Sequence, residues 1–137
     1  MSGETFFAAA GMGATVRGVA LVAKDGFSAR YDLDRVRGVF SRADHKLAGE
    51  SYVGRVLVLD AAKGGVASAW MLHEMTARGV IPAALVLNAV NPIMVQGAAL
   101  AGFTMLSGFA VDITQAIANG AMVEVDATAP RPFIRVL

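Results

Sequence analysis

Short apolar runs separated by polar or glycine-containing turns dominate the chain. Runs rich in β-branched residues over 16–23 and 55–60, and an aliphatic run over 83–87, predict buried strands. The stretch 41–52 is polar and lacks apolar periodicity, so it predicts a loop. Shorter or weaker patterns predict further strands over 36–40, 103–106, 121–126 and 133–136.

Two helices alternate with the later strands. Apolar side chains recur at helical spacing through Val66–Arg78, and Gly79 stands where a C-cap glycine belongs. The residues at that spacing are Ala67, Trp70, Met71 and Met75. Asn91 precedes Pro92 as an N-cap before an N1 proline, which predicts a second helix over Pro92–Leu100.

The order of elements indicates the fold class. A third helix is predicted over 112–119 with Asp112 as its cap, whereas residues 1–14 are small and apolar and predict a mobile arm. Strands come first and strand–helix alternation follows, which is typical of an α/β domain whose later strands are partly parallel. The chain has 137 residues, which fits one domain over 15–137.

The composition narrows the class of protein. Hydrophobic residues make up 55% of the chain and charged residues 17%, which excludes a disordered protein. The 12 basic residues nearly balance the 11 acidic ones, so nothing in the charge indicates nucleic-acid binding. Without cysteine the chain has no thiolate nucleophile, disulfide, iron–sulfur cluster or cysteine zinc site of its own. The only two histidines lie far apart in sequence, and we expect no metal site in this chain.

A run over 79–111 contains no charge and no histidine. A membrane span needs about 20 predominantly apolar residues, but prolines, asparagines and glycines interrupt this run, and its longest apolar stretch, 80–87, fits a buried strand. We therefore expect no membrane span. The first residues lack the basic region of a signal peptide, so we expect a cytoplasmic location. The shortage of charge predicts a surface that a partner covers.

The junction from Lys63 to Ser68 is the best candidate site. A strand ends, two glycines permit a tight turn and a helix begins, so free backbone N–H groups and the helix dipole favour an anion there. Lys63 adds a positive charge, and we expect Lys63, Gly64, Gly65 and Val66 to bind substrate. The spacing matches neither a Walker loop nor a dinucleotide-binding fingerprint. An ordinary glycine turn into a helix is the alternative.

Polar side chains elsewhere give further candidates. Asn91 and Gln96, at the second strand–helix junction, carry amides that can orient a substrate; the alternative is that Asn91 only caps its helix and Gln96 is solvated. His45, in the polar loop, is a candidate acid or base, with a solvent-exposed histidine as the alternative. Asp60, at a strand end, points into a site or caps the turn. We expect His73 on the surface without a role, and the methionines as core filler.

The order of these junctions resembles the swivel domain, or small subunit, of aconitase X proteins over roughly residues 16–126. The strand VRGVALVA resembles the family's G-x-A-L-V run, and DHKLAGESYVGRVLVLD resembles its H-P-x-x-G-x-S-x-x-G-R-x-L-V stretch. The match is sharpest in KGGVASAWMLHEMTARGVIPAALVLNAVNPIMVQGAALAG, with its glycine-rich turn, helix, G-x-x-P-x-A strand and second glycine-containing helix. His45 and Ser51 fall on the loop pattern, which implies that both bind substrate, although Lys46 replaces the usual proline.

The resemblance implies a fold and a role. The fold is a single swivelling β/β/α domain, with a barrel-like sheet and outer helices. The role is that of a lid subunit in a two-subunit dehydratase, closing over a small hydroxy-acid substrate. An iron or iron–sulfur centre belongs to the large catalytic subunit, and this chain holds no cofactor. In the family picture, an activated serine after the second glycine of the turn is the base.

This chain departs from the family at that serine. Relatives often read G-[KR]-G-S at the turn, whereas Gly65 stands at the serine position here. Ser68, about 4.5 Å further along the helix axis, is the replacement that we expect to act as catalytic residue; a bond to a backbone carbonyl is the alternative. The second functional hypothesis is a non-catalytic anion-binding or regulatory module of a partner protein, and Gly65 is the main reason for it.

Overall fold

The computed structural model describes residues 3–137. That part of the chain forms nine strands and three helices. The strands are β1 (Thr5–Met12), β2 (Val16–Val22), β3 (Leu33–Asp34), β4 (Val39–Phe40), β5 (Val56–Ala61), β6 (Ala84–Ala89), β7 (Met105–Phe109), β8 (Met122–Asp126) and β9 (Phe133–Val136). The helices are α1 (Val66–Arg78), α2 (Pro92–Leu100) and α3 (Ile113–Ala116).

Seven of the strands close into a barrel in the order β1-β7-β6-β5-β2-β8-β9. The pairs β2–β5, β5–β6 and β6–β7 are parallel, and the other pairs are antiparallel. The helices α1 and α2 are the crossovers that parallel neighbours require. β1 closes the ring, because it pairs with β7 and with β9, while β3 and β4 form a separate hairpin.

Alternating side chains of the central parallel strands divide the core into two layers. In β5, Val56 and Val58 join residues of the antiparallel strands in one cluster, which fills the barrel. Leu57 and Leu59 point the other way, into a second cluster beneath α1 and α2. α3 adds Ile113 to the barrel cluster. The two long helices therefore lie outside the barrel, and the short helix lies against its interior.

Most of the predicted elements are confirmed. Both long helices have the predicted bounds, with Gly79 left-handed at φ 72°. Asn91 Oδ1 accepts a hydrogen bond from Met94 N at 2.9 Å, as an N-cap does. β2, β5, β6, β8 and β9 lie within two residues of the predicted runs. The α/β architecture is the one that the order of elements predicted, and the barrel-like sheet with outer helices is the one that the family resemblance implied.

The mobile arm predicted over 1–14 is wrong, because Thr5–Met12 forms β1 of the barrel. Thr5 is the one β-branched residue of the strand, but its small residues permit a close approach to its neighbours. A Cβ on Gly11 would lie only 2.8 Å from Leu106 Cδ2. Residues 1 and 2 of the predicted arm lie outside the described residues.

Three shorter elements differ from their predictions. The strand predicted over 36–40 is reduced to β4, because Gly38 turns the backbone at φ 75°. The strand predicted over 103–106 begins two residues later, as β7. The helix predicted over 112–119 is reduced to α3, because Ile117 is extended at φ −108° and ψ 127° and buries its side chain in the barrel cluster.

α1 buries only part of the face that the apolar spacing predicted: Met75 is buried and Met71 packs against the core, whereas Ala67 and Trp70 are exposed. Trp70 is 68% exposed. The residues that α1 buries are Ser68, Leu72 and Met75. α1 also packs closely on α2, since a Cβ on Gly97 would lie 2.5 Å from Ala69 Cβ. No helix within residues 3–137 has the length and apolar character that crossing a membrane requires.

Candidate functional site

The 63–68 turn connects the end of β5 to the start of α1. Gly64 has φ 124°, a conformation that favours glycine, and Gly65 is the N-cap with φ −114°. No side chain caps this helix, and both Gly65 and Val66 are exposed. The first N–H groups of α1 are therefore left without a capping side chain, and the helix dipole favours an anion beside them.

Lys63 places a cation at the start of this turn. Its backbone N–H donates to Phe27 O at 2.8 Å. Its aliphatic stem passes Gly26, where a Cβ would lie 3.7 Å from Lys63 Cε. The residue is exposed, and within the described chain its ammonium has no ion-pair partner. The charge of Lys63 therefore does not stabilise the fold through an ion pair within the described residues.

Ser68 lies beneath the turn, not on its open face. The residue is 3% exposed, and a Cβ on Gly64 would lie 2.4 Å from Ser68 Oγ. A catalytic base needs to come within about 2.6–3.2 Å of the proton that it removes. The Ser68 hydroxyl is packed under Gly64 and buried, which argues against proton removal by it, and its catalytic role stays a prediction.

Asn91 joins the starts of the two long helices. Its Nδ2 donates to Gly64 O at 3.1 Å, while its Oδ1 accepts from Met94 N in the first turn of α2. Both ends of the amide are therefore engaged. The structure brings Asn91 to the predicted site, where it holds the turn in place.

His45, which was predicted to bind substrate, has an enclosed ring in the structure, and its substrate-binding role stays a prediction. Its side chain is fully buried, and both ring nitrogens are engaged by backbone groups. Nε2 donates to Gly26 O at 2.8 Å, and Nδ1 accepts from Leu47 N at 3.0 Å. A substrate therefore finds no open ring nitrogen, although the residue lies close to the segment beside Lys63.

Ser51 is not brought to the 63–68 turn, so its substrate-binding role stays a prediction that this geometry does not support. It bridges to Val39 ahead of β5, and its hydroxyl accepts from Val53 N at 3.4 Å. The 63–68 turn follows the other end of β5, a strand of six residues with a rise of about 3.3 Å per residue. Ser51 and Lys63 therefore lie at opposite ends of one strand.

A polar cluster at the barrel mouth was only partly foreseen. Asn88 Nδ2 donates to Asp60 Oδ1 at 3.0 Å and to Asp112 Oδ1 at 2.8 Å, and Lys24 Nζ donates to Asp112 Oδ2 at 2.7 Å. Bonds from Lys24, Thr114 and Asn88 hold the pKa of Asp112 well below its usual range. The strand register brings Asp60 and Asn88 together, because the leucines that precede them, Leu59 and Leu87, pair across β5 and β6. Asp60 therefore belongs to the mouth of the barrel.

The chemistry of the site follows from its components. A cation, three uncapped helix N–H groups and glycines that admit close approach can hold a carboxylate or a phosphate. Residues 3–137 contain no group of three metal-ligating side chains placed to hold a metal ion. The turn itself presents no exposed side chain that takes a proton at neutral pH, because Gly64 and Gly65 have none and Ser68 is buried.

Comparison with known proteins agrees with this architecture. The family model described as "Aconitase X swivel domain" matches residues 7–134. The crystal structure of Thermococcus kodakaraensis aconitase X in its holo-form is similar in fold, with a TM-score of 0.88 and 21% identity over 98% of this chain and 99% of that chain.

Curated relatives extend the similarity along nearly the whole chain. A phosphomevalonate dehydratase small subunit of Methanocella arvoryzae is 31% identical over 117 residues, covering 85% of this chain and 89% of the relative. One from Thermococcus sibiricus is 31% identical over 115 residues, covering 84% and 86%. The chain belongs to the aconitase X swivel-domain family.

Proposed function

We propose that this chain is the small, lid-forming subunit of a two-subunit dehydratase of the aconitase X type. The named relatives are small subunits of phosphomevalonate dehydratase, and the matched region spans most of their length. The substrate is a small hydroxy acid that carries a carboxylate or a phosphate. A hydroxyproline-like amino acid and a phosphorylated hydroxy acid both satisfy this description.

The large subunit supplies the metal in this proposal. An iron or iron–sulfur centre there acts as a Lewis acid that draws off the substrate hydroxyl. The small subunit brings no metal ligand cluster within residues 3–137. Its contribution is to hold the anionic end of the substrate and to cover the site so that water is excluded.

The observation that carries the proposal is the pairing of Lys63 with the uncapped start of α1. The ammonium has no ion-pair partner within the described chain, and the adjacent helix has neither a capping side chain nor an acidic residue in its first turn. Gly65 offers no obstruction, since a Cβ there would meet nothing within 4 Å. A ligand anion therefore reaches both the cation and the N–H groups.

A groove between α1 and α2 supports docking to a large subunit. Its volume is about 490 Å³, and its lining includes Val66, Trp70, Ile93 and Leu100, all of them exposed apolar residues. Gln96 and His73 also line it. Val66 and Ile93 lie in the first turns of α1 and α2, next to the candidate site. A protein that covers the site therefore also reaches the groove. We assign the groove to an apolar segment of the large subunit.

A non-catalytic anion-binding module is the second candidate function. The turn lacks the family's serine at Gly65, and the nearest hydroxyl, that of Ser68, is 3% exposed. A protein of this kind would bind its anion and its partner in the same way, but it would take no part in the catalysed reaction. Steady-state kinetics of the assembled complex distinguish the two functions.

The test is reconstitution with the large subunit encoded by the same organism, followed by kinetics with candidate hydroxy acids. Lys63→Gln is expected to raise KM by about 10- to 100-fold, because a charge-assisted contact to the substrate is lost. Arg78→Gln is the matched control, since Arg78 is an exposed cation at the other end of α1. A complex that does not form, or a KM that Lys63→Gln leaves unchanged, contradicts the proposal.

A further inference from the structure

A series of contacts links the buried ring of His45 to Lys63, the cation of the candidate site. His45 Nε2 donates to Gly26 O at 2.8 Å. The next residue, Phe27, donates its N–H to Ala61 O and accepts from Lys63 N, both at 2.8 Å. Gly26 also lies under the Lys63 stem, because a Cβ on Gly26 would be 3.7 Å from Lys63 Cε.

The ring is held so that it keeps facing Gly26. Leu47 N donates to Nδ1 at 3.0 Å, and Phe40 stacks on the ring with centroids 4.7 Å apart and planes 29° apart. A carbonyl acceptor at Nε2 and an N–H donor at Nδ1 together specify the neutral tautomer with its proton on Nε2. His45 is therefore a fixed donor aimed at one backbone carbonyl.

Two carboxylates complete the frame around the ring. Asp25 Oδ2 lies 3.8 Å from Nδ1, and Asp32 Oδ2 lies 3.8 Å from Nε2. Arg42 Nε donates to Asp32 Oδ1 at 2.6 Å. Burial alone would raise the pKa of Asp25, but N–H groups of Lys46 and Gly26 and the charges nearby lower it. These carboxylates are engaged by other donors, so the ring bonds to the backbone.

We infer that His45 is a positioning residue for Lys63. Its Nε2–H fixes the Gly26 carbonyl, and the 26–27 backbone then sets where Lys63 leaves β5 and supports its stem. His45 touches no ligand in this arrangement and acts only through the backbone. The inference rests on the proposed function for the anion-binding role of Lys63, while its structural part stands on the hydrogen bonds alone.

Amide hydrogen exchange of the full chain tests the structural part. His45→Gln keeps a nitrogen donor at the position of Nε2, whereas His45→Asn keeps only an acceptor at the position of Nδ1. The Lys63 amide, bonded to Phe27 O, is expected to exchange about tenfold faster in His45→Asn and near the wild-type rate in His45→Gln. The Leu85 amide, bonded to Thr104 O, is the internal control and is expected to stay protected in both.

Kinetics of the reconstituted complex test the functional part. We expect His45→Asn to raise KM by about tenfold with kcat within about threefold of wild type, and His45→Gln to restore most of the loss. A purely structural histidine would instead make the two variants equally unstable and equally active per folded molecule. Equal protection at Lys63 in both variants, or an unchanged KM in His45→Asn, overturns the inference.

Lys63→Gln, measured in parallel, separates this inference from the proposed function. An effect of Lys63→Gln without an effect of His45→Asn overturns the inference alone. No effect of Lys63→Gln contradicts the anion site, and the exchange result then decides whether His45 holds the 26–27 backbone. Should His45→Asn fail to fold, His45→Gln decides: lost protection at Lys63 with Leu85 still protected contradicts the inference, and retained protection supports it.

Discussion

The side chain of Ser68 fills the space that a Cβ on Gly64 would need, with 2.4 Å between that Cβ and Ser68 Oγ. The two residues therefore constrain each other: Gly64 must stay a glycine for steric as well as conformational reasons, and Ser68 must stay small. Gly65, one position further, meets nothing within 4 Å. Packing against Ser68 thus constrains Gly64, whereas no neighbouring atom constrains Gly65. Substitutions at the two positions can show this difference.

Gly64→Ala is expected to lower the free energy of unfolding by about 1–3 kcal/mol, because φ is 124° and the new Cβ overlaps Ser68. Gly65→Ser is expected to be neutral or to add a few tenths of a kcal/mol, because serine is a good N-cap and the space is open. Urea unfolding of both variants gives the comparison. Equal destabilisation would contradict the steric account of the turn.

Ser68→Ala tests whether the buried hydroxyl takes part in proton transfer. Because the hydroxyl is buried, we expect kcat of the reconstituted complex to stay within about threefold of wild type. Loss of a general base would instead lower the rate by about 10²–10⁴. Affinity for the large subunit is measured alongside, so that a loss of assembly is not counted as a loss of chemistry. A fall in kcat of a hundredfold with assembly intact would restore Ser68 as the catalytic residue.

Trp70 is the only tryptophan of the chain, which makes it a specific probe of the groove. When the chain is labelled with 5-fluorotryptophan and mixed with the unlabelled large subunit, we expect its ¹⁹F resonance to shift and its solvent exposure to fall. Trp70→Ala is expected to weaken assembly by about 10-fold or more, as truncation of an interface aromatic does. Tyr31→Ala is the control, because Tyr31 is equally exposed at 68% and does not line the groove. An unchanged resonance in an assembled complex would place the interface elsewhere.

Tyr52 predicts an alkaline limit to stability. Burial raises its pKa to about 12, so the unfolded chain loses this proton first, and stability is expected to fall as pH rises from about 10 to 12. Its hydroxyl also has no hydrogen-bond partner within residues 3–137. Tyr52→Phe is therefore expected to raise the free energy of unfolding by about 1 kcal/mol at pH 7 and to flatten the alkaline limb. Tyr31→Phe serves as the exposed control, and a destabilised Tyr52→Phe would refute the prediction.

Asp112 predicts a limit at the acid side. Its pKa is lowered chiefly by the bond from Lys24, so its stabilising effect is present above the ordinary carboxyl pKa of about 3.9 and is lost as pH falls below it. Asp112→Asn keeps an N-cap acceptor but removes the charge. We expect this variant to be less stable than wild type at pH 7, with the difference shrinking below pH 4 in thermal unfolding. Asp44→Asn, at a side chain that is 87% exposed, is the control; a difference that does not depend on pH would contradict the assignment.

Local signals made the two long helices predictable. A helix cap depends on residues that are close in sequence, so the caps Gly79 and Asn91 could be recognised in the sequence and are found in the structure. β1 was missed because its three alanines and its one glycine carry no strand signal, and the strand depends on partners far along the chain. The buried face of α1 was predicted correctly for Met75 and wrongly for Trp70, because hydrophobicity alone favours burying Trp70, whereas the structure buries Ser68 against Gly64.

The same distinction applies to the candidate site. The 63–68 turn was predictable because a strand end, two glycines and a helix start are adjacent in sequence. The burial of His45 and the remote placement of Ser51 were not, because both depend on how the 24–52 segment folds over β5. Sequence reasoning located the glycine turn at the start of α1, but it could not separate the residues that are exposed at this turn from those that pack beneath it.

The pairing of β1 also determines when the barrel can close during synthesis. β1 is synthesised before the other barrel strands, but Met12 pairs with Met105 and Phe7 with Phe133. A nascent chain therefore carries an unpaired edge until almost the last strand has emerged, and closing the ring is a late, long-range event in folding. The three consecutive alanines and the single glycine of β1 have low β-propensity, which lowers the tendency of this unpaired edge to associate with other chains.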